Sequence, residues 1–182
     1  MRTVLIIDLN DTGSEAEALR QALEGFNYFV CVMRIGRPND FIDILGRNIP
    51  IDPDFVITSC HGDDGKIHMP RLADFVYSDN EPRDDFSSAA VERYLKLSQK
   101  TIINLGCTTG KEKLAKAFSK NNIYIAPCDY IEGTAALFFT MRLFYEMASK
   151  GRDVRSAYMI ARESDDETRQ FCLFEIRESS SR

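Results

Sequence analysis

The stretch FVITSCHG at residues 55–62 indicates the fold most clearly, because a strand-like run leads directly into a Cys-His-Gly motif. The stretch TIINLGC at residues 101–107 has the same organisation and ends in Cys107. Short apolar runs of this kind are typical of parallel strands that are covered on both faces. Adjacent parallel strands end at the same edge of a sheet, where open α/β folds bind ligands. The sequence therefore predicts that His61 and Cys107 lie close together at that edge.

Strand-like and helix-like segments alternate along the remaining sequence. Apolar runs predict the strands, and apolar residues at helical spacing predict the helices between them. The predicted strands cover residues 3–7, 29–33, 54–59, 101–105, 123–126 and 171–176, and the longest predicted helices cover residues 134–149 and 154–162. No internal repeat or linker divides the sequence. We therefore expect a single three-layer, doubly wound α/β domain with a mostly parallel sheet over residues 1–178, followed by a disordered tail at residues 179–182.

The composition limits the classes of partner. The chain has 182 residues, a net charge of -5 and no cluster of Lys and Arg, which argues against nucleic acid because phosphate contacts need a basic surface. The most apolar stretch, residues 131–147, contains three charged residues, so it predicts a buried helix and not a membrane span. Five scattered cysteines without a C-x-x-C pair favour free thiols in a reducing compartment. We expect a cytoplasmic protein that binds neither nucleic acid nor membranes.

A thiol and an imidazole at one sheet edge are the two groups that catalysis by a cysteine nucleophile requires, since the imidazole can transfer the proton. The spacing of Thr109 and Glu112 predicts a capping box, which would open a helix just behind Cys107 and favour its thiolate form. His61 would then protonate the leaving amine. Gly62 allows a close approach of the backbone. Its N–H would form an oxyanion hole with the N–H of Cys107, where losing one donor costs about 3 to 4 kcal/mol of barrier.

Residues 55–67 resemble one block of the caspase-like, clan CD cysteine peptidases, in which an apolar strand ends at His-Gly and an acidic-Gly turn follows. Residues 102–107 resemble the second block, in which an apolar strand ends in the nucleophilic cysteine. The histidine precedes the cysteine by 46 residues, an order and separation that fit this superfamily. The later segments that are similar to CHAT domains, the bacterial caspase-like subgroup, are residues 126–129, 144–146, 151 and 157–161.

The resemblance implies a caspase-hemoglobinase-like fold in which His61 and Cys107 form the catalytic dyad and Gly62 donates to the oxyanion. It implies a cysteine peptidase that acts on a peptide or protein substrate through a thioester acyl-enzyme, without a metal or cofactor. It is also compatible with a regulatory protein partner. Related members often cleave after Lys or Arg by means of an acidic pocket residue, and Asp129, after the fifth strand, is the candidate for that role. Asp8, at the end of the first strand, is a second candidate for contact with the substrate.

Two positions depart from the family pattern. Cys60 precedes the histidine where many members have Ser or another small residue, and Gly106 replaces the more usual Ala before the nucleophile. Neither change removes a reacting group.

Two alternatives to a peptidase stay open from the residues alone. The same fold is compatible with a catalytically inactive scaffold, or with a module that binds a partner or a small ligand. The same dyad would also serve an amidase that acts on a small metabolite, which differs from a peptidase only in the size of its pocket.

Overall fold

Eight strands and six helices lie along the part of the chain that a computed structural model describes, residues 1–9 and 12–175. The strands are β1 (Thr3–Asp8), β2 (Phe29–Arg34), β3 (Phe55–Ser59), β4 (Gly62–Asp63), β5 (Lys66–Ile67), β6 (Thr101–Asn104), β7 (Ile123–Pro127) and β8 (Phe171–Phe174). The helices are α1 (Glu15–Gly25), α2 (Pro38–Leu45), α3 (Ser88–Tyr94), α4 (Glu112–Ser119), α5 (Gly133–Lys150) and α6 (Val154–Arg162). Two short 3₁₀ turns lie at Asp74–Val76 and Thr168–Gln170.

Six of these strands form one sheet in the order β2-β1-β3-β6-β7-β8. Every neighbouring pair is parallel except β7 and β8, which are antiparallel. β4 and β5 form a separate two-stranded hairpin directly after β3. β2 lies on one side of β1 in the sheet, and β3 lies on the other side. The topological switch point is therefore between β1 and β3, and such sheets bind ligands at this position. The predicted doubly wound α/β fold with a mostly parallel sheet is confirmed.

Alternate residues of each central strand point to opposite faces of the sheet, and helices cover both faces, which explains why β1, β3 and β6 are mostly apolar. Leu5 and Ile7 of β1 pack in one core with α2, α3 and α4, whereas Val4 and Ile6 pack in a second core with α1, α5 and α6. All four side chains are at most 1% exposed. Burying a side chain of this size contributes about 1.5 to 3 kcal/mol. Two such cores hold the central strands between helical layers and so position the loops at their carboxyl ends.

The two longest predicted helices lie close to their expected bounds. α6 has the expected bounds, and α5 extends the expected helix by one residue at each end. The carboxylate of Asp153 caps α6 by accepting from the N–H groups of Arg155 and Ser156. Within the described ranges, no helix is long and apolar enough to cross a membrane. Residue 176 of the predicted last strand and the predicted tail at 179–182 lie outside the described residues, so the bounds of the domain stay a prediction.

The capping box predicted behind Cys107 is wrong. α4 begins at Glu112, and the residue before it, Lys111, makes no side-chain cap. Thr109 is not available as a cap because its hydroxyl is buried and donates to the carbonyl of Gly106 at 2.6 Å. The field of a helix dipole falls off within the first turn. α4 begins five residues after Cys107, so we ascribe no stabilisation of a thiolate to this helix.

Candidate active site

The carboxyl ends of β3 and β6 place His61 and Cys107 on the walls of one cavity. The two strands are neighbours, and Thr58 lies opposite Asn104. His61 follows β3 by two residues, and Cys107 follows β6 by three. The cavity has a volume of about 410 Å³ and lies between the sheet edge and the first turns of α1 and α5. The structure therefore brings the imidazole and the thiol together, although 46 residues separate them in the sequence.

The sulfur of Cys107 contacts the backbone of the segment that leads into α5. The N–H of Ile131 donates to this sulfur at 3.5 Å, and the thiol donates to the carbonyl of Ile131 at 3.5 Å. The cysteine is half-buried, whereas His61 is exposed. The thiol is therefore held at the cavity wall by backbone groups while the imidazole faces solvent.

Thr108 turns the chain sharply directly after the cysteine. Its φ is 58°, in the left-handed region that β-branched residues avoid. Its N–H donates to the carbonyl of Asp129 at 3.2 Å, and its hydroxyl accepts from the N–H of Gly65 at 3.2 Å. Such strain costs about 1 to 3 kcal/mol and persists only where the surrounding structure determines it. The position of the neighbouring thiol is therefore set by contacts with two other loops.

Asn104, at the end of β6, is a buried polar residue of the site that sequence reasoning missed. Its side-chain oxygen accepts from the N–H of Gly106 at 3.0 Å and from the thiol of Cys60 at 3.2 Å, and the hydroxyl of Thr109 lies 3.2 Å from it. These contacts connect the loop that carries the thiol with the loop that carries the imidazole. They also give a role to the unusual cysteine at position 60, which is a buried donor toward Asn104. In the sequence, this residue could have been found as a single Asn at the end of an apolar strand.

Gly62 and Gly106 let these two loops touch. A Cβ on Gly62 would lie 2.6 Å from the carbonyl oxygen of Cys107, and a Cβ on Gly106 would lie 3.1 Å from the nitrogen of Gly62. Ile67, which is opposite Gly62 in the hairpin, exchanges both of its backbone hydrogen bonds with Phe86. Gly62 is itself buried between the hairpin and the cysteine loop and, unlike His61 and Cys107, does not line the cavity.

Glu15, in the first turn of α1, lines the same cavity and was also missed. The hydroxyl of Ser59 donates to its carboxylate at 2.6 Å, and the hydroxyl of Thr12 lies 2.6 Å from that of Ser59. Burial raises the pKa of Glu15, although the hydrogen bond from Ser59 and the positive charge of His61 oppose the rise. The negative charge of Asp8 adds to it. An acidic residue in the first turn of a helix is so common that the sequence alone did not single out this one.

The two acidic residues proposed for substrate contact do not line this cavity. Asp129 is exposed, and its carboxylate accepts from the N–H of Tyr130 at 2.8 Å. Asp8 is buried at the end of β1, with its carboxylate 3.5 Å from the guanidinium of Arg34. Among the described residues that face the cavity, Glu15 is the acidic one. The structure thus groups Glu15, and neither aspartate, with the thiol and the imidazole.

No family model and no curated protein matches the chain. Among solved structures, the caspase drICE superposes with a TM-score of 0.53 at 13% identity, over 96% of this chain and 87% of drICE. The chain has a caspase-like fold. A secreted C11 cysteine protease from Bacteroides thetaiotaomicron, determined with an irreversible peptide inhibitor, superposes with a TM-score of 0.51 at 12% identity. The match covers 93% of this chain and 63% of that protease, so the chain spans less than two thirds of it.

These likenesses bear on the predicted resemblance only at the level of the fold. The caspase-like architecture is confirmed. Assignment to the CHAT subgroup and the roles of His61, Cys107 and Gly62 stay predictions.

Proposed function

We propose that the protein is a cysteine peptidase in which Cys107 is the nucleophile and His61 the proton donor. The observation that carries the proposal is that the thiol and the imidazole line one cavity at the carboxyl edge of a caspase-like sheet. The cavity lies beside the switch point of that sheet, where α/β folds bind ligands. The C11 protease of similar fold was determined with a peptide inhibitor, which supports a peptide or protein as substrate.

The reaction is acyl transfer in two stages. The Cys107 thiolate attacks the carbonyl carbon of the scissile bond, and the N–H groups of Gly62 and Cys107 donate hydrogen bonds to the carbonyl oxygen as negative charge develops on it. His61 then gives a proton to the leaving amine. A thioester remains on Cys107, and water hydrolyses it with His61 as the base. Gly62 lies against the cysteine loop but does not line the cavity, so its assignment as an oxyanion donor rests on the family resemblance.

The cavity also favours cleavage after a basic residue. A Lys or Arg side chain would lay its apolar stem along Ala18 and Leu137 and bring its charge to Glu15. Burial disfavours the ionised form of Glu15. A bound cation reverses this, since an opposite charge nearby favours the ionised carboxylate. Glu15 therefore takes the place that the sequence analysis assigned to Asp129.

Labelling by peptidyl chloromethyl ketones tests the proposal. The reagent forms a thioether with the nucleophile and releases chloride, and peptide mass spectrometry identifies the modified cysteine. We expect a peptide ending in Lys to label Cys107 alone among the five thiols, faster than a peptide ending in norleucine. Cys107→Ala should abolish the labelling. Cys31→Ala is the matched control, because Cys31 lies in the edge strand β2 and should leave labelling unchanged.

Equal labelling of all five thiols, or of none, would contradict the peptidase proposal. In that case the fold would act as an inactive scaffold or a binding module, and binding of its partner or ligand would be insensitive to Cys107→Ala.

A further inference from the structure

Cys128 and Cys172 lie on paired segments at the edge of the sheet. Cys172 of β8 pairs opposite Ala126, and the N–H of Cys128, just after β7, donates to the carbonyl of Gln170 at 2.8 Å. Residues two positions apart on a strand share a face, so this register puts both cysteine side chains on the same side of the ladder. Both are partly exposed. We infer that Cys128 and Cys172 form a reversible disulfide, a modification site distinct from the nucleophile at Cys107.

Each thiol donates to a backbone carbonyl, Cys128 to that of Gly110 at 3.5 Å and Cys172 to that of Gln170 at 3.7 Å. The proximity of the two cysteines lowers the pKa of Cys172 and raises that of Cys128. Burial opposes the lowering at Cys172, and the positive charge of Arg162 adds to it. Arg162 is anchored because its Nε donates to the carbonyl of Phe171 at 3.1 Å. Cys172 is therefore the thiol that reacts first, and Cys128 is the partner that resolves the intermediate.

The fold leaves room for the bond to close. A disulfide brings two sulfurs to about 2.0 Å, closer than two unbonded thiols can approach. β8 is an edge strand that pairs with β7 alone, so it is restrained by backbone hydrogen bonds on one side only. Rotation of the two side chains, with a small sliding of β8 along β7, would bring the sulfurs together without disturbing the central strands.

The oxidant is a low-molecular-weight disulfide such as oxidised glutathione. The thiolate of Cys172 attacks one sulfur of the oxidant, which forms a mixed disulfide and releases one reduced thiol. Cys128 then loses its proton and attacks the sulfur of Cys172, which forms the internal disulfide and releases the second reduced thiol. The two cysteines lose two electrons and two protons, and the two released thiols carry them.

The disulfide would restrain the segment that contacts the candidate nucleophile. Cys128 lies three residues before Ile131, whose N–H and carbonyl both contact the sulfur of Cys107 at 3.5 Å. Between them, the carbonyl of Asp129 accepts from Thr108, the residue after the nucleophile. Tying Cys128 to β8 limits the movement of this segment away from the sulfur. We expect alkylation of Cys107 to be slower in the oxidised protein, an effect that depends on thiol reactivity and not on peptidase activity.

The test is to equilibrate the full chain with excess oxidised glutathione, block free thiols with N-ethylmaleimide and digest with trypsin without reduction. We expect the peptide of residues 121–142 joined to the peptide of residues 170–177, and a fall from five to three free thiols per chain. A reducing agent should separate the two peptides. Alkylation of Cys107 by iodoacetamide is then compared in the oxidised and reduced proteins.

Three variants separate this inference from the proposed function. Cys172→Ser should abolish the linked peptide, whereas Cys31→Ser should retain it. Cys107→Ala should also retain it, so the disulfide is tested even if the protein is not a peptidase. Five thiols that stay free, or glutathione carried separately on Cys128 and Cys172, would overturn the disulfide. An unchanged alkylation rate at Cys107 would overturn its link to the site.

Discussion

Gly62→Ala places a methyl group at the contact between the two loops of the candidate site. Its carbon would lie 2.6 Å from the carbonyl oxygen of Cys107, 2.7 Å from Cγ2 of Thr109 and 3.0 Å from the carbonyl oxygen of Lys66. Two of these neighbours are backbone atoms, which cannot rotate away as a flexible side chain would. Overpacking of this kind costs about 1 to 3 kcal/mol. For a domain of this size, that lowers the melting temperature by roughly 2 to 12 °C.

Gly36→Ala is the matched control, because the nearest atom to its new carbon would be the side-chain Oδ2 of Asp40 at 3.9 Å. We expect its melting temperature to stay close to that of the parent protein. Urea and thermal unfolding of both variants measure the difference, and labelling of Cys107 by a peptidyl electrophile reports on the site. We expect Gly62→Ala to slow the labelling, since the two loops must separate. A Gly62→Ala protein as stable and as readily labelled as Gly36→Ala would refute the close packing of the two loops.

Three further predictions follow from individual contacts. Glu15→Gln should remove the preference of the labelling reaction for Lys over norleucine. Because folding raises the pKa of Glu15, the ionised carboxylate opposes folding at pH 7. The melting temperature of the variant should therefore be no lower than that of the parent protein at pH 7. The hydrogen bonds from Arg37 lower the pKa of Glu81 from its ordinary 4.5 to about 2, so its contribution to stability is complete above pH 4.5 and is lost as the pH falls toward 2. Urea titrations of Glu81→Gln should show lower stability at pH 7 and a weaker loss across that pH range, and an unchanged pH dependence would count against the pair. The disulfide between Cys128 and Cys172 would close a loop of 45 residues, which corresponds to about 4 kcal/mol in the chain-entropy relation, so the oxidised protein should unfold at a higher urea concentration than the reduced one.

Much of the fold follows from the sequence because local pattern and tertiary packing agree in the central strands. The apolar runs of β1, β3 and β6 have no polar face, as their cover of helices on both sides requires. The bounds of α6 were also predictable, since Asp153 supplies a cap at the start of an amphipathic stretch. Once β3 and β6 are neighbours, His61 and Cys107 must meet at one edge.

The errors and omissions have a common physical cause, which is that the packing of the folded loops decides which partner each polar side chain has. The spacing of Thr109 and Glu112 matched a capping box, but a buried hydroxyl that closes the loop after β6 is not free to cap a helix. Glu15 enters the site through a hydrogen bond from Ser59, 44 residues away. Asp129 follows β7 as expected, but its carboxylate accepts a hydrogen bond from the N–H of the next residue in the chain. No local pattern reports any of these partners.

The most direct test of the central claim is the rate at which the protein hydrolyses a peptide amide that ends in Lys and carries a fluorogenic leaving amine. We expect the parent protein to release the fluorescent amine, Cys107→Ala to have no activity, and His61→Ala to lose about 10²- to 10⁴-fold. Hydrolysis that continues at the parental rate in Cys107→Ala would contradict the role of Cys107 as the nucleophile.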